Sequence, residues 1–128
     1  MPSKKPIRVL LVDDHPVILW GLARLIEGEP RMQVAGLATC SEDALRLARE
    51  ARPDLILLDL ELGDANGLDL LPSLIEASNA RVLVLSARQD PGMRECSLRR
   101  GACEQLSKDE PGASILSAIE TACRDDAG

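Results

Sequence analysis

The chain has 128 residues, 45% of them hydrophobic and 28% charged, with a formal net charge of −6. That suffices for one domain with a real core, excludes general disorder, and argues against the chain itself gripping nucleic-acid phosphates, which takes clustered Lys and Arg. No apolar run approaches the roughly 20 residues of a membrane span, and "MPSKKPIRV" lacks the apolar stretch of a signal peptide.

Apolar runs alternate with helical patterns along the chain. Strands are expected at "IRVLLVD" (7–13), "QVAGLAT" (33–39), "LILLD" (55–59), "RVLVLS" (81–86) and "EQLS" (104–107). Three of these are apolar on both faces, as central strands of a parallel sheet are when helices cover each side. Between them, helices are expected at 16–28, 41–50, 66–77, 91–101 and 112–124. Pro16 suits a first turn, Ser41 a cap followed by Glu42 and Asp43, and Asp90-Pro91 a cap with a first-position proline. Gly28 and Gly101 are expected stops. The result is a doubly wound α/β fold: a five-stranded parallel sheet with helices on both faces, flavodoxin-like (βα)5. With no Tyr or Phe and a single Trp, its core must be built from Leu, Val, Ile and Ala. One domain is expected over 1–128, with its core at about 7–124 and a polar tail, "CRDDAG".

Sites in open parallel sheets form beyond the carboxyl ends of the strands, where strand order reverses. Asp13 and Asp14 follow the first strand, Asp59 ends the third, Ser86 ends the fourth, and Lys108 stands one residue past the fifth. Adjacent carboxylates repel, and a fold accepts that where a cation relieves the pair or where it faces water. Asp13, Asp14 and Asp59 offer the oxygens that Mg²⁺ prefers. An aspartate in such a cluster can attack phosphorus, while the Lys108 ammonium and the Ser86 hydroxyl hold the transferring oxygens.

Those residues resemble the response-regulator receiver domain. "VDDHP", "PDLILLDLELGDANGLDLL", "VLVLSA" and "GACEQLSKD" stand in that family's order and spacing, over Ile7 to about Arg124, and look most like NarL/FixJ/LuxR-type receivers. The resemblance implies that Asp59 accepts the phosphoryl group and that Asp13, Asp14 and the Glu61 backbone carbonyl complete a Mg²⁺ site with it. It implies that Ser86 and Lys108 contact the phosphoryl group and that a sensor histidine kinase is the donor. It further implies a cytoplasmic protein that pairs with a second copy on phosphorylation. DNA would be reached only through a C-terminal helix-turn-helix domain absent from this chain. Three departures stand out. Gln105 replaces the aromatic switch residue three before Lys108, and is expected to be an exposed edge-strand side chain. Gly63 replaces a common proline four after Asp59, which predicts a looser loop, and Glu61 adds a carboxylate beside the site.

His15, between the acids and Pro16, is assigned no catalysis. On the first helix, Ile18, Leu22, Leu25 and Ile26 form the expected core stripe. Leu19 on the flank and Trp20 on the outer face are then candidates for docking a kinase or a second copy. The helix at 91–101 carries few apolar residues, so it is expected to open easily, and Arg94, Arg99 and Arg100 make it locally basic. Cys40, Cys96, Cys103 and Cys123 show no C-x-x-C spacing and are expected to be reduced thiols. A haloacid-dehalogenase-type phosphatase is a poor fit, because His15 stands where its second Asp should be. A dinucleotide fold lacks G-x-G-x-x-G after the first strand. A receiver-like interaction module that takes no phosphate is the remaining alternative.

Overall fold

The structure is a computed structural model that describes residues 5–63, 66–87 and 90–124. The tail at 125–128 lies outside the described residues. In chain order the elements are β1 (Ile7–Val12), α1 (Pro16–Glu27), β2 (Met32–Ala38), α2 (Ser41–Ala51), β3 (Leu55–Asp59), α3 (Gly67–Ser78), β4 (Arg81–Ser86), α4 (Pro91–Arg99), β5 (Glu104–Ser107) and α5 (Gly112–Cys123). All strands pair in parallel, in the order β2-β1-β3-β4-β5. Connection direction reverses between β1 and β3, so the switch-point crevice opens where Asp13, Asp14 and Asp59 stand.

Side chains alternate across the sheet with period two. Leu10, Val12, Ile56, Leu58, Val82 and Val84 pack on one face with Ala44 and Ala48 of α2 and Leu70, Leu71 and Leu74 of α3. Val9, Leu11, Leu55, Leu57 and Leu83 pack on the other with Leu19 and Ile26 of α1 and Ile115 and Ile119 of α5. The three strands apolar on both faces, β1, β3 and β4, are the central ones.

Local signals hold in most places. Pro16 opens α1, and the Asp90 side chain caps α4 by accepting from the Gly92 amide at 2.9 Å. Gly101 follows α4 with φ of +114°, a left-handed conformation that costs glycine nothing. Ser41 is instead the first helical residue of α2, and Cys40 takes the cap position. Pro72 sits inside α3, where it lacks the N–H that would bond the Leu68 carbonyl. Arg100 fills that place, its Nη1 donating to Leu68 O at 3.1 Å and pairing with Asp69 at 2.9 Å.

Two expectations are corrected in α1 and β5. Leu19 is 4% exposed and lies in the core, so it is no surface residue. Leu22, Leu25 and Ile26 pack into the core as expected, with Leu19 and Ala23 beside them, while Ile18 is only half-buried. Trp20 remains on the outer face at 64% exposure, with Val17 also exposed. Gln105 is half-buried, not exposed. Its Oε1 accepts from Ser97 Oγ at 2.7 Å, and Ser97 is fully buried in α4. The arginines of α4 are already paired: Arg94 with Glu104 at 2.6 Å, Arg99 with Glu95 at 3.6 Å, Arg100 with Asp69.

Candidate functional site

The five polar residues at strand ends fall at one rim of the sheet, and three of the four charged ones, Asp13, Asp59 and Lys108, form ion pairs. Asp13 leaves β1 with its amide bonded to the Ala38 carbonyl at 3.0 Å, and its carboxylate is 1% exposed. Asp59 ends β3 at the same 1%, with Oδ1 accepting from the Glu61 amide at 3.0 Å. Lys108 is placed by its own amide, which donates to the Ser86 carbonyl at 3.0 Å. From there its Nζ reaches Asp59 Oδ2 at 2.9 Å and Asp13 Oδ2 at 3.2 Å. Ser86 ends β4 fully buried, and its Oγ lies 4.0 Å from Met93 Sδ of α4. The Glu61 side chain is exposed.

Asp14 is anchored from across the crevice. The Gly63 amide donates to Asp14 Oδ2 at 2.8 Å, and a Cβ at position 63 would fall 2.8 Å from the same oxygen. Gly63 is therefore tied to Asp14, against the expectation of looseness at this position. A proline there has no N–H to give. Gly67 fixes the far end of this loop: its amide donates to the Leu60 carbonyl at 3.1 Å, and an added Cβ would meet Leu60 Cα at 2.5 Å.

Sequence reasoning set His15 aside, but its ring belongs to the cluster. Nδ1 stands 2.9 Å from Asp13 Oδ1, 3.1 Å from Asp14 Oδ1 and 3.7 Å from Asp59 Oδ2. The signal available in the sequence was position alone, since the extended His15 backbone ahead of Pro16 folds the ring back over Asp13.

The electrostatics are unbalanced toward the negative. Burial pushes the Asp59 carboxyl above its ordinary range, and the Glu61 amide and Lys108 only partly offset it. Burial works against the Lys108 ammonium too, yet Asp59 and then Asp13 outweigh it and hold Lys108 above the usual lysine value. The hydrogen bond that the His15 ring donates to Asp13 raises the imidazole above its ordinary value. Three carboxylates against one ammonium leave two negative charges when His15 is neutral.

Asp13 Oδ2, Asp14 Oδ1 and Asp59 Oδ2 are buried without a hydrogen-bond partner. Lys108 is within ion-pair reach of two of them but not in bonding alignment. Orphaned, buried carboxylate oxygens on converging side chains fit a hard divalent cation, whose charge would balance the pocket.

Comparisons with known proteins agree with this geometry. The family model for the response regulator receiver domain matches residues 9–120. The nitrate/nitrite response regulator protein NarL of Escherichia coli (strain K12) is 37% identical over 123 residues, covering 95% of this chain and 57% of that protein. This chain thus spans a little over half the length of that relative. A two-component response regulator of the LuxR family from Aurantimonas sp. SI85-9A1 superposes with a TM-score of 0.85 at 31% identity, covering 91% of this chain and 84% of that one. A response regulator from Burkholderia pseudomallei, solved with a phosphorylated aspartic acid, a calcium ion and citrate, gives 0.82 at 31% identity, covering 94% and 69%. Among the described residues no helix is long and apolar enough to cross a membrane.

Proposed function

Because this chain belongs to the response-regulator receiver family and is a NarL/LuxR-type receiver domain, we propose that Asp59 is its phosphoacceptor. The observation that carries this reading is the Lys108 ammonium bridging the buried Asp59 and Asp13 carboxylates, with Asp14 beside them. An Asp59 oxygen attacks phosphorus, the bond from phosphorus to a histidine nitrogen of a sensor kinase breaks, and an acyl phosphate forms. Asp13, Asp14, Asp59 and the Glu61 carbonyl would hold Mg²⁺. Such an ion supplies positive charge to the phosphoryl oxygens. Lys108, freed from its pairing with Asp59, follows the negative charge onto the phosphoryl group, and the Ser86 hydroxyl at the adjacent strand end donates to it. The activity is the domain's own phosphorylation and dephosphorylation; it turns over no separate substrate.

The partners follow from the same reading. In the cytoplasm a sensor histidine kinase donates, a second copy pairs with the phosphorylated form, and DNA is engaged through a helix-turn-helix output domain of the kind the relatives' greater length accommodates. Trp20 and Val17, exposed at the site end of α1, form the docking face for the kinase or second copy; Leu19 is excluded by its burial. Trp20→Ala should slow phosphotransfer or weaken self-association, and a variant unchanged in both refutes that surface.

Beryllofluoride binding tests the phosphoacceptor. With Mg²⁺ present the wild type should bind one beryllofluoride and Asp59→Asn none. Failure in the wild type would favour the phosphate-independent interaction module.

A further inference from the structure

We propose that His15 is a nitrogen ligand of the divalent-ion site, which makes this pocket favour imidazole-binding ions such as Mn²⁺, Co²⁺ and Ni²⁺ over Mg²⁺. The inference rests on reading the acidic pocket as an ion site, and it gives a role to a residue that reading leaves idle.

The backbone brings the ring there. After β1 the chain runs Asp13-Asp14-His15-Pro16, and His15 is extended at φ −101°, ψ 105° before α1 begins. Asp13 Oδ1 accepts from the His15 amide at 2.8 Å, which holds the residue over the carboxylate. Nδ1 then stands 2.9, 3.1 and 3.7 Å from oxygens of Asp13, Asp14 and Asp59. One donor atom from each of these four residues lies within 4.8 Å of all the others. Around an octahedral ion with bonds near 2.1 Å, neighbouring ligands stand about 3.0 Å apart and opposite ligands about 4.2 Å. Most of that spacing is already present.

Two further observations point to a ligand set and not to a capping contact alone. Asp13 and Asp59, each 1% exposed, aim carboxylate oxygens that lack an aligned hydrogen bond and lie against the Lys108 ammonium into the same space. Nδ1 already faces the carboxylates, and with the side chain 55% exposed the ring can shed its Nδ1 proton to solvent and offer that lone pair as the tautomer protonated on Nε2. Carboxylates alone suit Mg²⁺, Ca²⁺ and Mn²⁺. An added imidazole shifts preference along the first-row series toward Mn²⁺, Co²⁺ and Ni²⁺.

His15 is the only histidine in the chain, so with no histidine tag any imidazole nitrogen on a bound ion has one source. The protein, His15→Ala and His15→Asn are titrated with Mn²⁺ and with Mg²⁺, and bound Mn²⁺ is examined by pulsed electron paramagnetic resonance. Nitrogen modulation should appear in the wild type and vanish in both variants. Mn²⁺ affinity should fall roughly tenfold in the variants, while Mg²⁺ affinity changes by no more than about a factor of two. Bound Mn²⁺ without nitrogen modulation overturns the proposal. So does tighter binding of both ions in the variants, which would make the ring a competitor. If neither ion binds the wild type, the acidic-pocket reading fails first and this proposal fails with it.

Discussion

The hydrogen bond between Ser97 and Gln105 predicts an asymmetric pair of substitutions. Helix α4 has little apolar grip: Met93 and Leu98 are only partly buried and Cys96 is exposed. Its buried hydroxyl, Ser97, donates to Gln105 Oε1 at 2.7 Å, and Gln105 itself is half-buried. In Ser97→Ala the amide oxygen left behind can reach water, so the loss should be about 1 kcal/mol. In Gln105→Leu a fully buried hydroxyl loses its partner, and desolvation raises the cost to about 2 kcal/mol. The double variant replaces both partners by apolar groups and should recover about 1 kcal/mol of the sum. Urea and thermal denaturation of the four proteins read this directly, at roughly 3–5 °C per kcal/mol for a domain of this size. Amide exchange should quicken in α4 in both single variants. Costs that add within about 0.3 kcal/mol would refute the reasoning, because independent sites add and a shared bond does not.

Lys108→Met strips the cation from Asp13 and Asp59 and should cost about 3 kcal/mol above neutral pH. Asp59 already has a raised pKa, and a carboxyl raised further loses stability as pH climbs through its folded value, so the deficit should shrink on acidification; pH-dependent melts check this. Gly67→Ala drives a Cβ into the Leu60 backbone and should cost about 1–3 kcal/mol. The control Gly21→Ala, with nothing within 4 Å, should gain up to about 1 kcal/mol in the same melts. Gly63→Pro removes the amide that holds Asp14 and should weaken Mg²⁺ binding about tenfold by calorimetry. Burial pushes the Cys123 thiol from 9.0 to about 11. The folded state therefore keeps a proton that the unfolded chain loses in that window, so stability falls as pH rises through it, and Cys123→Ala should flatten that slope.

The frame of the molecule was legible because period-two and period-3.6 patterns separate cleanly here. Strands β1, β3 and β4 read as central from their unbroken apolar runs, and the acids at their ends then had to share one rim. What the pattern could not carry was rotation and pairing. Leu19 lies about 100° from Ile18 around α1, and the apolar pattern alone does not say which of two neighbouring aliphatic residues faces inward. Gln105 reads as exposed because its partner, Ser97, is eight residues away in a helix whose polar composition suggests no buried face. Gly63 and His15 act through an amide and a ring nitrogen aimed by loop geometry, which residue type alone does not reveal. Pro72 is similar: the Leu68 carbonyl it leaves without a helical partner is met by Arg100, far along the chain.

The most direct test of the acidic pocket as a phosphorylation site is to treat the intact protein with Mg²⁺ and acetyl phosphate and weigh it. Borohydride then reduces any acyl phosphate, which marks the modified aspartate for peptide mapping. One phosphoryl group, mapped to Asp59 and dependent on the divalent ion, is the predicted result. No added mass, or a mark on Asp13 in place of Asp59, would contradict it.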